Sequence, residues 1–588
     1  MEVNDMAKRY YTVERNVQIV IALLKAHGIR KVIASPGTTN MTFIGSIQQD
    51  PYFQIWSSVD ERSAAYLACG MAAESGEPIV ISCTGATASR NYMPGLTEAY
   101  YRKLPVLAIT SHRGDFKIGH LLDQQIDRRS IPNDIAMEHV TIPMAKTSLE
   151  ERHCEIEANK AILALKLNGG GPVHINMYTE YSQDFSVKCL PLAKAIFRYT
   201  TSDNFPELPR NKKIGVYIGS HANFTKEEVK AIDDFCASNN AVVFCDHTSG
   251  YRGKYEVHFH ILCCQINYYC SLINLDILIH IGEVAGTYHV NAKEVWRVSE
   301  DGALRDTLGS LTKVFMMREQ DFFKQYTTNN TKPQTAFLES CKLEYAKALS
   351  KIPDLPFGNI WIAQHTISKL PAGSELHMGI YNSLRSWNFF ELPKGVLGKC
   401  NVGGFGIDGG ISSLVGASLV NPDKLFFGVF GDLAFFYDMN VLGNRHLEAN
   451  VRILLINNAR GSEFRLFGHP CSKFGDDADP YMAAAGHYGC QSPILVKGYT
   501  EALGFKYLSA SNKDEYLKVV DEFVSSKQVD RPIFLEVFTE TTNESYALEI
   551  MQNICRSNQL VIVKKAVALI RGIVGEGGVR IMKKVLGK

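Results

Sequence analysis

The pattern of apolar and polar residues along the chain predicts an α/β protein with buried parallel strands. Short continuous apolar runs recur, and each is followed by a Gly-rich or polar turn and then by a segment with apolar residues at helical spacing. Continuous apolar runs of this length are typical of strands that are covered on both faces, as they are in parallel sheets. The regular alternation of strand and helix therefore predicts an α/β fold with doubly wound parallel-sheet domains.

The predicted elements form three consecutive domains and a tail, divided as residues 1–185, 186–350, 351–555 and 556–588. A polar, proline-containing stretch at about 190–210 indicates a linker, and the first and third domains look like variants of one fold. Strands are expected at 31–34, 78–84, 106–110, 171–177, 213–219, 241–246, 275–282, 294–299, 425–430, 451–456 and 532–538, and helices at 12–27, 90–102, 225–239, 336–350 and 435–447.

The overall charge and the cysteines exclude some classes of protein. The 588 residues carry 62 basic and 61 acidic side chains, so the net charge of +1 provides no general attraction to nucleic acid. The 14 cysteines form no CxxC pair, and with no signal peptide they are expected to be free thiols of a cytoplasmic protein. Polar residues interrupt every apolar run before it reaches the length of a membrane span.

Two polar residues follow buried strands of the third domain. Asp432 follows the predicted strand 425–430, and Asn458 follows the predicted strand 451–456, 26 positions after Asp432. The carboxyl ends of such strands form the edge where ligands bind in open α/β sheets. A carboxylate and an amide oxygen at this edge suit a hard cation such as Mg²⁺ or Ca²⁺. From spacing alone, a helix N-cap Asp and a turn Asn explain these residues equally well.

The stretch from GDL to NN resembles the diphosphate-binding signature of thiamine-diphosphate (ThDP) enzymes. GDLAFFYDMN is most similar to one branch of this decarboxylase/carboligase superfamily, the menaquinone-pathway SEPHCHC synthases (MenD-like). The resemblance implies that Mg²⁺ is held by Asp432, Asn458 and the backbone carbonyl of Arg460. It also implies cofactor contacts by Gly431, Leu433 and Asn457.

The resemblance extends to the first domain, where SPG, DERS, CTGATAS and LPVLAIT occur in the order of the family's pyrimidine-binding domain. The Glu of DER, here Glu61, is the family's catalytic acid, which hydrogen-bonds N1′ of the aminopyrimidine and promotes removal of the thiazolium C2 proton. Without the resemblance, a Glu in the first turn of a helix is explained by the helix dipole. Further cofactor contacts implied here are Gly37, Thr84, Gly85 and Asn91.

The segment GFGIDGGISSLVGA also resembles the SEPHCHC synthases. It implies that Gly406, Ile407 and Asp408 contact the cofactor, with Ile407 as the bulky residue beneath it that holds it in a V shape. The cluster of glycines in this segment suits close approach of the backbone to a ligand.

The substrate positions depart from that branch. Where the branch has SPGSRS and NRGASGIDG, this chain has SPGTTN and NVGGFGIDG, so Thr39 and Val402 replace two arginines. Arginine is the side chain best suited to carboxylates, so a dicarboxylate substrate would lose two partners. Arg113, Gln124 and Arg385 match the family's other substrate positions.

The resemblance therefore predicts a ThDP- and Mg²⁺-dependent enzyme that decarboxylates a 2-oxoacid and adds the resulting carbanion to an acceptor, forming a C–C bond. The alternatives are the SEPHCHC synthase reaction itself, with 2-oxoglutarate and isochorismate, plain decarboxylation of a 2-oxoacid, and an inactive scaffold. Because the family binds the cofactor between the first domain of one subunit and the third domain of another, a homodimer or homotetramer is implied.

Basic residues also cluster in the tail and in a polar loop of the first domain. Within the tail, residues 558–588 have seven Lys and Arg residues against one acid, with apolar residues at helical spacing. This pattern predicts either contact with the inner face of a membrane or packing on the enzyme itself. Arg128 and Arg129, in a polar loop, are expected on a solvated face.

Overall fold

The structure is a computed structural model that describes residues 10–286, 290–328, 332–527 and 529–557. The strand pairs within its sheets are parallel and helices connect the strands, which confirms the predicted α/β class with three parallel sheets. The chain forms two compact units, one of Met1–Phe205 with Asp301–Met316 and one of Pro206–Glu300 with Met317–Lys588. The basic tail, from residue 558 onwards, lies outside the described residues. Among the residues that are described, no helix has both the length and the apolar character to cross a bilayer.

The strands and helices are numbered in chain order. The strands are β1 (Lys31–Ala34), β2 (Gln54–Ser57), β3 (Ile79–Cys83), β4 (Val106–His112), β5 (Glu138–Ile142), β6 (Val173–Tyr178), β7 (Phe197–Tyr199), β8 (Ile214–Ile218), β9 (Val242–Cys245), β10 (Glu256–His258), β11 (Asn274–Ile281), β12 (Asn291–Val298), β13 (Leu311–Phe315), β14 (Glu375–Met378), β15 (Leu397–Lys399), β16 (Phe426–Gly431), β17 (Val451–Asn457), β18 (Lys506–Ala510) and β19 (Ile533–Phe538). The α-helices are α1 (Arg15–Ala26), α2 (Met41–Ile47), α3 (Glu61–Ser75), α4 (Ala86–Asn91), α5 (Met93–Tyr101), α6 (Ser148–Ala164), α7 (Lys226–Asn239), α8 (His260–Cys263), α9 (Glu319–Gln325), α10 (Ala336–Leu349), α11 (Asn359–Thr366), α12 (Asn382–Trp387), α13 (Gly410–Val420), α14 (Asp432–Asp438), α15 (Leu495–Ala502), α16 (Lys513–Phe523) and α17 (Thr541–Asn553).

The two outer sheets have the same topology. The first has the strand order β2-β1-β3-β4-β6-β5 and the third has the order β15-β14-β16-β17-β19-β18. When each sheet is numbered from its own first strand, the two orders are identical, as expected for two variants of one fold. The order reverses between β1 and β3 in the first sheet and between β14 and β16 in the third. Ligands bind in the crevice outside the strand ends at such a switch point.

The remaining strands are also parallel. In the second unit, five strands pair in the order β10-β9-β8-β11-β12. In the first unit, β7 pairs with β13. The apolar runs in the sequence correspond to the central strands, because every residue of β3, β4 and β17 is buried.

The helices after the predicted ligand loops differ from expectation. The helix predicted at 435–447 begins three residues earlier, as α14, and ends at Asp438, after which Met439–Gly443 form a 3-10 helix. The buried carboxylate of Asp438 joins the last residue of α14 to α13, because it accepts hydrogen bonds from the backbone N–H and the hydroxyl of Ser412 at 2.6 and 2.5 Å. The helix predicted at 90–102 is two helices, α4 and α5, and it begins earlier, at Ala86.

Candidate active site

A cavity of about 1090 Å³ lies at the carboxyl edge of the third sheet, within the second unit. The loops that follow β14, β16 and β17 border it, so it occupies the crevice at the switch point. Apolar and aromatic side chains form much of its wall, and polar groups cluster at the strand ends. A concave, largely apolar site with a few convergent polar groups is typical of small-molecule binding.

Asp432 is the first residue of α14 and is only 4% exposed. The backbone N–H of Leu433 donates to its Oδ1 at 2.8 Å, and the N–H groups of Ala459 and Arg460 also stabilise the carboxylate. Burial nevertheless raises the pKa of Asp432 to about 7, and the neighbouring carboxyl of Glu544 adds to the rise. A bound cation would offset this effect, because it stabilises the ionised form.

Asn458 lines the same cavity and is 6% exposed. Its Nδ2 donates to Oε2 of Glu544 at 3.2 Å, which leaves Oδ1 as a free acceptor. This Oδ1 is buried and has no hydrogen-bond partner among the described residues. A buried acceptor without a partner is costly, and an amide oxygen beside a carboxylate suits a hard cation. The residues present therefore fit a Mg²⁺ site.

Few charged side chains at this edge of the sheet are available to bind a metal ion. In the described part of the chain, no group of three or more His, Cys, Asp or Glu side chains is placed to hold a metal ion. One carboxylate with neutral oxygens is a weak protein cage, which Mg²⁺ usually completes with water and the phosphate oxygens of a ligand.

Glu544, in the first turn of α17, is a site residue that the sequence did not reveal. It is 3% exposed and accepts hydrogen bonds from Thr539 at 2.7 Å, Asn382 at 3.0 Å and Asn458. Burial raises its pKa, and the donors around it oppose that rise. Glu544 thus fixes the amide of Asn458. Its only signal in the sequence is a position shortly after the buried strand 532–538, which many structural residues share.

The other predicted cofactor residues of the third domain divide into two groups. Gly431, Leu433, Ile407 and Arg460 line the cavity, whereas Asn457, Gly406 and Asp408 are absent from its lining. Asn457 instead donates through Nδ2 to Oε1 of Glu536 at 2.7 Å, which fixes the end of β17. At Gly431 an added Cβ would meet nothing within 4 Å, so this space is open to a ligand.

Of the predicted substrate residues in this domain, Arg385 lines the cavity and Val402 does not. Val402 is 2% exposed and belongs to the core. Arg385, on α12, forms an ion pair with Glu463, which follows β17 in a 3-10 helix at Ser462–Arg465. Glu463 lines the cavity and, like Glu544, is a residue of the site that the sequence did not single out.

In the first unit, Glu61 is the first residue of α3 and is half-buried. Asp60 caps this helix, since its Oδ2 accepts a hydrogen bond from the backbone N–H of Ser63 at 2.9 Å. Nδ2 of Asn91, at the end of α4, donates to Oε2 of Glu61 at 3.3 Å. The predicted catalytic residue and one predicted cofactor residue, from separate helices, are therefore in contact.

The loops after β1 and β3 bring four further predicted residues together. The hydroxyls of Thr39 and Thr84 are 2.5 Å apart, and the N–H of Gly85 donates to Oγ1 of Thr39 at 3.2 Å. A Cβ at Gly37 would lie 2.6 Å from Cβ of Thr84, so only glycine fits this approach. These contacts lie at the switch point of the first sheet.

The polar loop after β4 carries the remaining predicted residues. Arg113 forms an ion pair with Asp123 at 3.4 Å, and Gln124 is exposed with a φ of 52°. The expectation that Arg128 lies on a solvated face is wrong. Arg128 is 5% exposed and donates to Oγ1 of Thr110 and to the carbonyl oxygen of Ser111, both at 2.7 Å, so it fixes the loop to the end of β4. Arg129 is exposed, as expected.

Known proteins match this chain over nearly its whole length. Residues 15–131 match the family described as thiamine pyrophosphate enzyme, N-terminal TPP binding domain. A 2-succinyl-5-enolpyruvyl-6-hydroxy-3-cyclohexene-1-carboxylate synthase of Bacteroides thetaiotaomicron is 28% identical over 563 residues, which cover 92% of this chain and 98% of the relative. Enzymes of the same name from Phocaeicola vulgatus (28% identical, covering 92% of this chain and 98% of the relative) and Flavobacterium johnsoniae (28%, covering 90% and 97%) are similar. These matches confirm the resemblance seen in the motifs.

Proposed function

We propose that this chain, a thiamine-diphosphate enzyme by its similarity to that family, decarboxylates a 2-oxoacid and adds the resulting carbanion to an electrophilic acceptor. One observation carries the proposal for the described site. The buried, unpartnered Oδ1 of Asn458 and the buried carboxyl of Asp432 both line a cavity at the switch point of the third sheet. A Mg²⁺ ion that carries a diphosphate would satisfy both groups.

The residues of the second unit would bind and enclose the cofactor. Bound ThDP supplies an electron sink for the carbanion that loss of CO₂ produces. Asp432, Asn458 and the carbonyl of Arg460 would hold the Mg²⁺ ion, and Glu544 keeps the Asn458 amide oriented. Leu433 and Ile407 contribute apolar wall, which excludes water from the reacting groups.

Glu61 would hold and move a proton at N1′ of the aminopyrimidine. A carboxyl group suits this role because it can donate to or accept from a ring nitrogen as the proton shifts. Asn91 donates to Glu61 and so fixes the direction of its carboxyl. Gly37, Thr84 and Gly85 form the tightly packed strand ends against which this ring would lie.

The proposed substrates differ from 2-oxoglutarate and isochorismate. Thr39 offers no positive charge, and its hydroxyl is already engaged by Thr84 and Gly85. Val402 is buried in the core. Each charged hydrogen bond to a carboxylate is worth about 1.5–3 kcal/mol, so the two replacements disfavour a dicarboxylate.

Cofactor binding is the first test of the proposed function. Calorimetry with ThDP should show saturable binding in the presence of Mg²⁺ and a large loss of affinity in EDTA. An inactive scaffold would show no metal-dependent binding, and that result would overturn the proposal.

Turnover is the second test. A panel of 2-oxoacids with neutral side chains should release CO₂, and mass spectrometry should detect an adduct when an aldehyde or enone acceptor is added. Incubation with 2-oxoglutarate and isochorismate tests the rival SEPHCHC synthase reaction. Efficient formation of that adduct would contradict our interpretation of Thr39 and Val402.

We also propose that the active form is a homodimer or homotetramer, with each cofactor bound by residues of two chains. The support is the family resemblance and the presence of proposed cofactor residues in both compact units. Light scattering during size-exclusion chromatography should give a mass of at least twice 65.5 kDa.

The seven Lys and Arg residues of positions 558–588 support a further proposal, contact with an anionic membrane surface. Vesicles that contain phosphatidylglycerol should retain the full chain in a sedimentation assay, whereas vesicles of phosphatidylcholine should not. Removal of residues 558–588 should abolish this binding. Equal sedimentation with both lipids would contradict the proposal.

A further inference from the structure

An ion pair lies in the wall of the cavity of the second unit. Arg385 and Glu463 both line this cavity, and the guanidinium of Arg385 donates from Nη1 to Oε1 of Glu463. The Glu463 side chain is 16% exposed and the Arg385 side chain is 43% exposed. The cation at this position therefore already has a carboxylate partner within the chain.

The surrounding contacts hold this pair in place. Nδ2 of Asn382, one turn before Arg385 on α12, donates to the hydroxyl of Ser462, which precedes Glu463, at 3.0 Å. The Arg385 guanidinium also lies 5.5 Å from the centre of the Tyr381 ring, where a cation–π interaction is favourable. Because Glu463 already balances the charge of Arg385, the arginine is a weaker partner for an incoming carboxylate than an unpaired arginine would be.

Arg460, the other arginine in the lining of this cavity, is also paired. Its Nη1 donates to Oδ2 of Asp479 at 2.7 Å, and Arg465 contacts Oδ1 of the same aspartate at 2.5 Å. A substrate carboxylate would thus meet two arginines that are each neutralised by an acid of this chain.

Glu463, in contrast to the two arginines, offers a hydrogen-bond acceptor to a ligand. Its Oε1 is occupied by Arg385, whereas its Oε2 is buried and has no hydrogen-bond partner among the described residues. A buried carboxylate oxygen without a donor is unfavourable, and a ligand group that donates a hydrogen bond would satisfy it. The walls around it are apolar and aromatic, with Tyr381 and Phe405 packed edge to face at 5.9 Å.

We propose that Glu463 determines specificity by occupying Arg385, so that the cavity takes a substrate whose remote end is uncharged and donates a hydrogen bond, such as an amide or a hydroxyl, and rejects one that ends in a carboxylate. This inference rests on the proposed function, because it names the substrate class of the same site. The pair is made by two side chains of α12 and the 3-10 helix after β17, and neither is a proposed ligand of the cofactor or the metal.

Equilibrium binding tests this inference without turnover. The probes are glutarate, its monoamide glutaramate, and pentanoate, which share a five-carbon chain and one carboxylate and differ only at the remote end. They lack a keto group, so they bind to the full-length protein with Mg²⁺ and ThDP without reacting. Wild-type protein should bind glutaramate most tightly and glutarate most weakly.

The Glu463→Gln variant keeps the size of the side chain and frees Arg385. Its affinity for glutarate, relative to pentanoate, should rise about 10- to 100-fold over wild type, the ratio that one charged hydrogen bond provides. Adding Arg385→Gln to this variant should remove the gain, since the freed arginine is its cause. An unchanged ratio in Glu463→Gln would overturn the inference.

A matched control variant tests whether a change in the binding ratio is specific to the Arg385–Glu463 pair or follows from the loss of any ion pair. Arg252 and Glu256 form a half-buried pair in the same unit, and neither residue lines the cavity. Glu256→Gln should leave the glutarate-to-pentanoate ratio unchanged, and a change equal to that of Glu463→Gln would also overturn the inference. If the proposed function were wrong, no 2-oxoacid would release CO₂. The binding ratios could still be measured in that case, because the probes do not react.

Discussion

Asp432, Asn458 and Glu544 are buried together at the edge of the third sheet, and two of the three are carboxyls. Burial raises the pKa of both acids, so this group of side chains resists carrying two negative charges. Glu544 is fixed by hydrogen bonds from Thr539, Asn382 and Asn458, whereas Oδ1 of Asn458 has no partner among the described residues. A divalent cation would stabilise the charged form of the acids and satisfy the amide.

Replacement of Asp432 by Asn should stabilise the protein in the absence of metal. Its folded-state pKa of about 7 lies above the ordinary value of 3.8, so the folded state binds more protons and stability falls as pH rises between these values. The Asn variant lacks this penalty, which reaches at most about 4 kcal/mol above pH 7. Thermal unfolding in EDTA should therefore show a higher Tm for Asp432→Asn than for wild type at pH 8, and a much smaller difference at pH 5.

Addition of Mg²⁺ and ThDP provides the matched measurement for the same variant. Wild-type Tm should rise on addition, since a ligand that binds only the folded state stabilises it. The Asp432→Asn variant should show little or no rise. A full ligand-induced shift in the variant would exclude Asp432 as a metal ligand.

Glu61→Gln should reduce turnover about 10²- to 10⁴-fold, the usual contribution of a positioned proton-transfer group. Binding of Mg²⁺ and ThDP should remain within a few-fold of wild type, because the proposed metal ligands are unchanged. Steady-state kinetics and calorimetry measure the two effects. Glu98→Gln, on α5, removes an exposed ion pair with Arg102, and this control variant should keep full activity. Unchanged turnover in Glu61→Gln would remove Glu61 from the mechanism.

Residues at strand ends were predictable from the sequence, and residues defined by packing were not. Asp432 and Asn458 follow apolar runs, so their place at the sheet edge could be inferred before the structure was known. Glu544 and Glu463 have no such marker, because their importance comes from side chains far away in the sequence, Asn458 and Arg385. Arg128 was misjudged for the same reason, since Thr110 and Ser111 bury it in a loop of polar composition.

At the scale of elements, two glycines near strand ends serve different purposes: one allows close packing of the protein, and the other lies beside open space that a ligand could fill. Gly37, after β1, has Cβ of Thr84 at 2.6 Å and Oδ1 of Asn40 at 2.9 Å from where its own Cβ would stand. Gly431, the last residue of β16, has nothing within 4 Å of that point. The first glycine is required by the protein itself, and the second leaves room at the proposed diphosphate site.

Gly37→Ala should therefore destabilise the protein, because the added methyl group overlaps Thr84. Overpacking of this kind typically costs about 1–3 kcal/mol. Chemical denaturation of the cofactor-free protein measures the loss. The double variant Gly37→Ala, Thr84→Ser removes a methyl group from residue 84 and should recover part of the lost stability. Wild-type stability in Gly37→Ala would contradict the close approach of the two loops.

Gly431→Ala should have the opposite effects: the stability of the protein should be kept and cofactor binding should be weakened. Its φ of −81° suits any residue, so the stability of the cofactor-free protein should stay within about 0.5 kcal/mol of wild type. Affinity for ThDP with Mg²⁺ should fall at least about tenfold, because the methyl group occupies space proposed for the ligand. Calorimetry on the variant decides the matter, and undiminished affinity would place the diphosphate elsewhere.

Elements were predictable where one physical signal dominated. The buried runs of β3, β4, β16 and β17 could be inferred directly, because parallel strands that are covered on both faces consist mainly of apolar residues. Helix α6 was missed since its buried face includes the polar residues Glu155 and Asn159, which interrupt the apolar stripe. Strand β18 is a half-exposed edge strand with a mixed sequence. Helix α14 is shorter than its apolar pattern, because the chain continues as a 3-10 helix after Asp438.

At the scale of the whole molecule, the proposed cofactor residues are divided between the two compact units. Glu61 and Asn91 belong to the first unit, and Asp432 and Asn458 belong to the second. The two units carry outer sheets of the same strand order, each with its candidate residues at the switch point. If one cofactor is bound by the first unit of one chain and the second unit of another, defects in different units should complement each other.

Coexpression of Glu61→Gln and Asp432→Asn chains with different affinity tags tests this arrangement. In a heterodimer with shared sites, one site carries both substitutions and the other carries neither, so purified heterodimers should have about half of wild-type activity per dimer. An unsorted mixture with random pairing should have about a quarter. Each variant alone should be nearly inactive, because every site of its homodimer carries one defect. If each site belonged to a single chain, every site of the heterodimer would be defective and activity would not recover, which would refute the shared site while leaving the role of each residue intact.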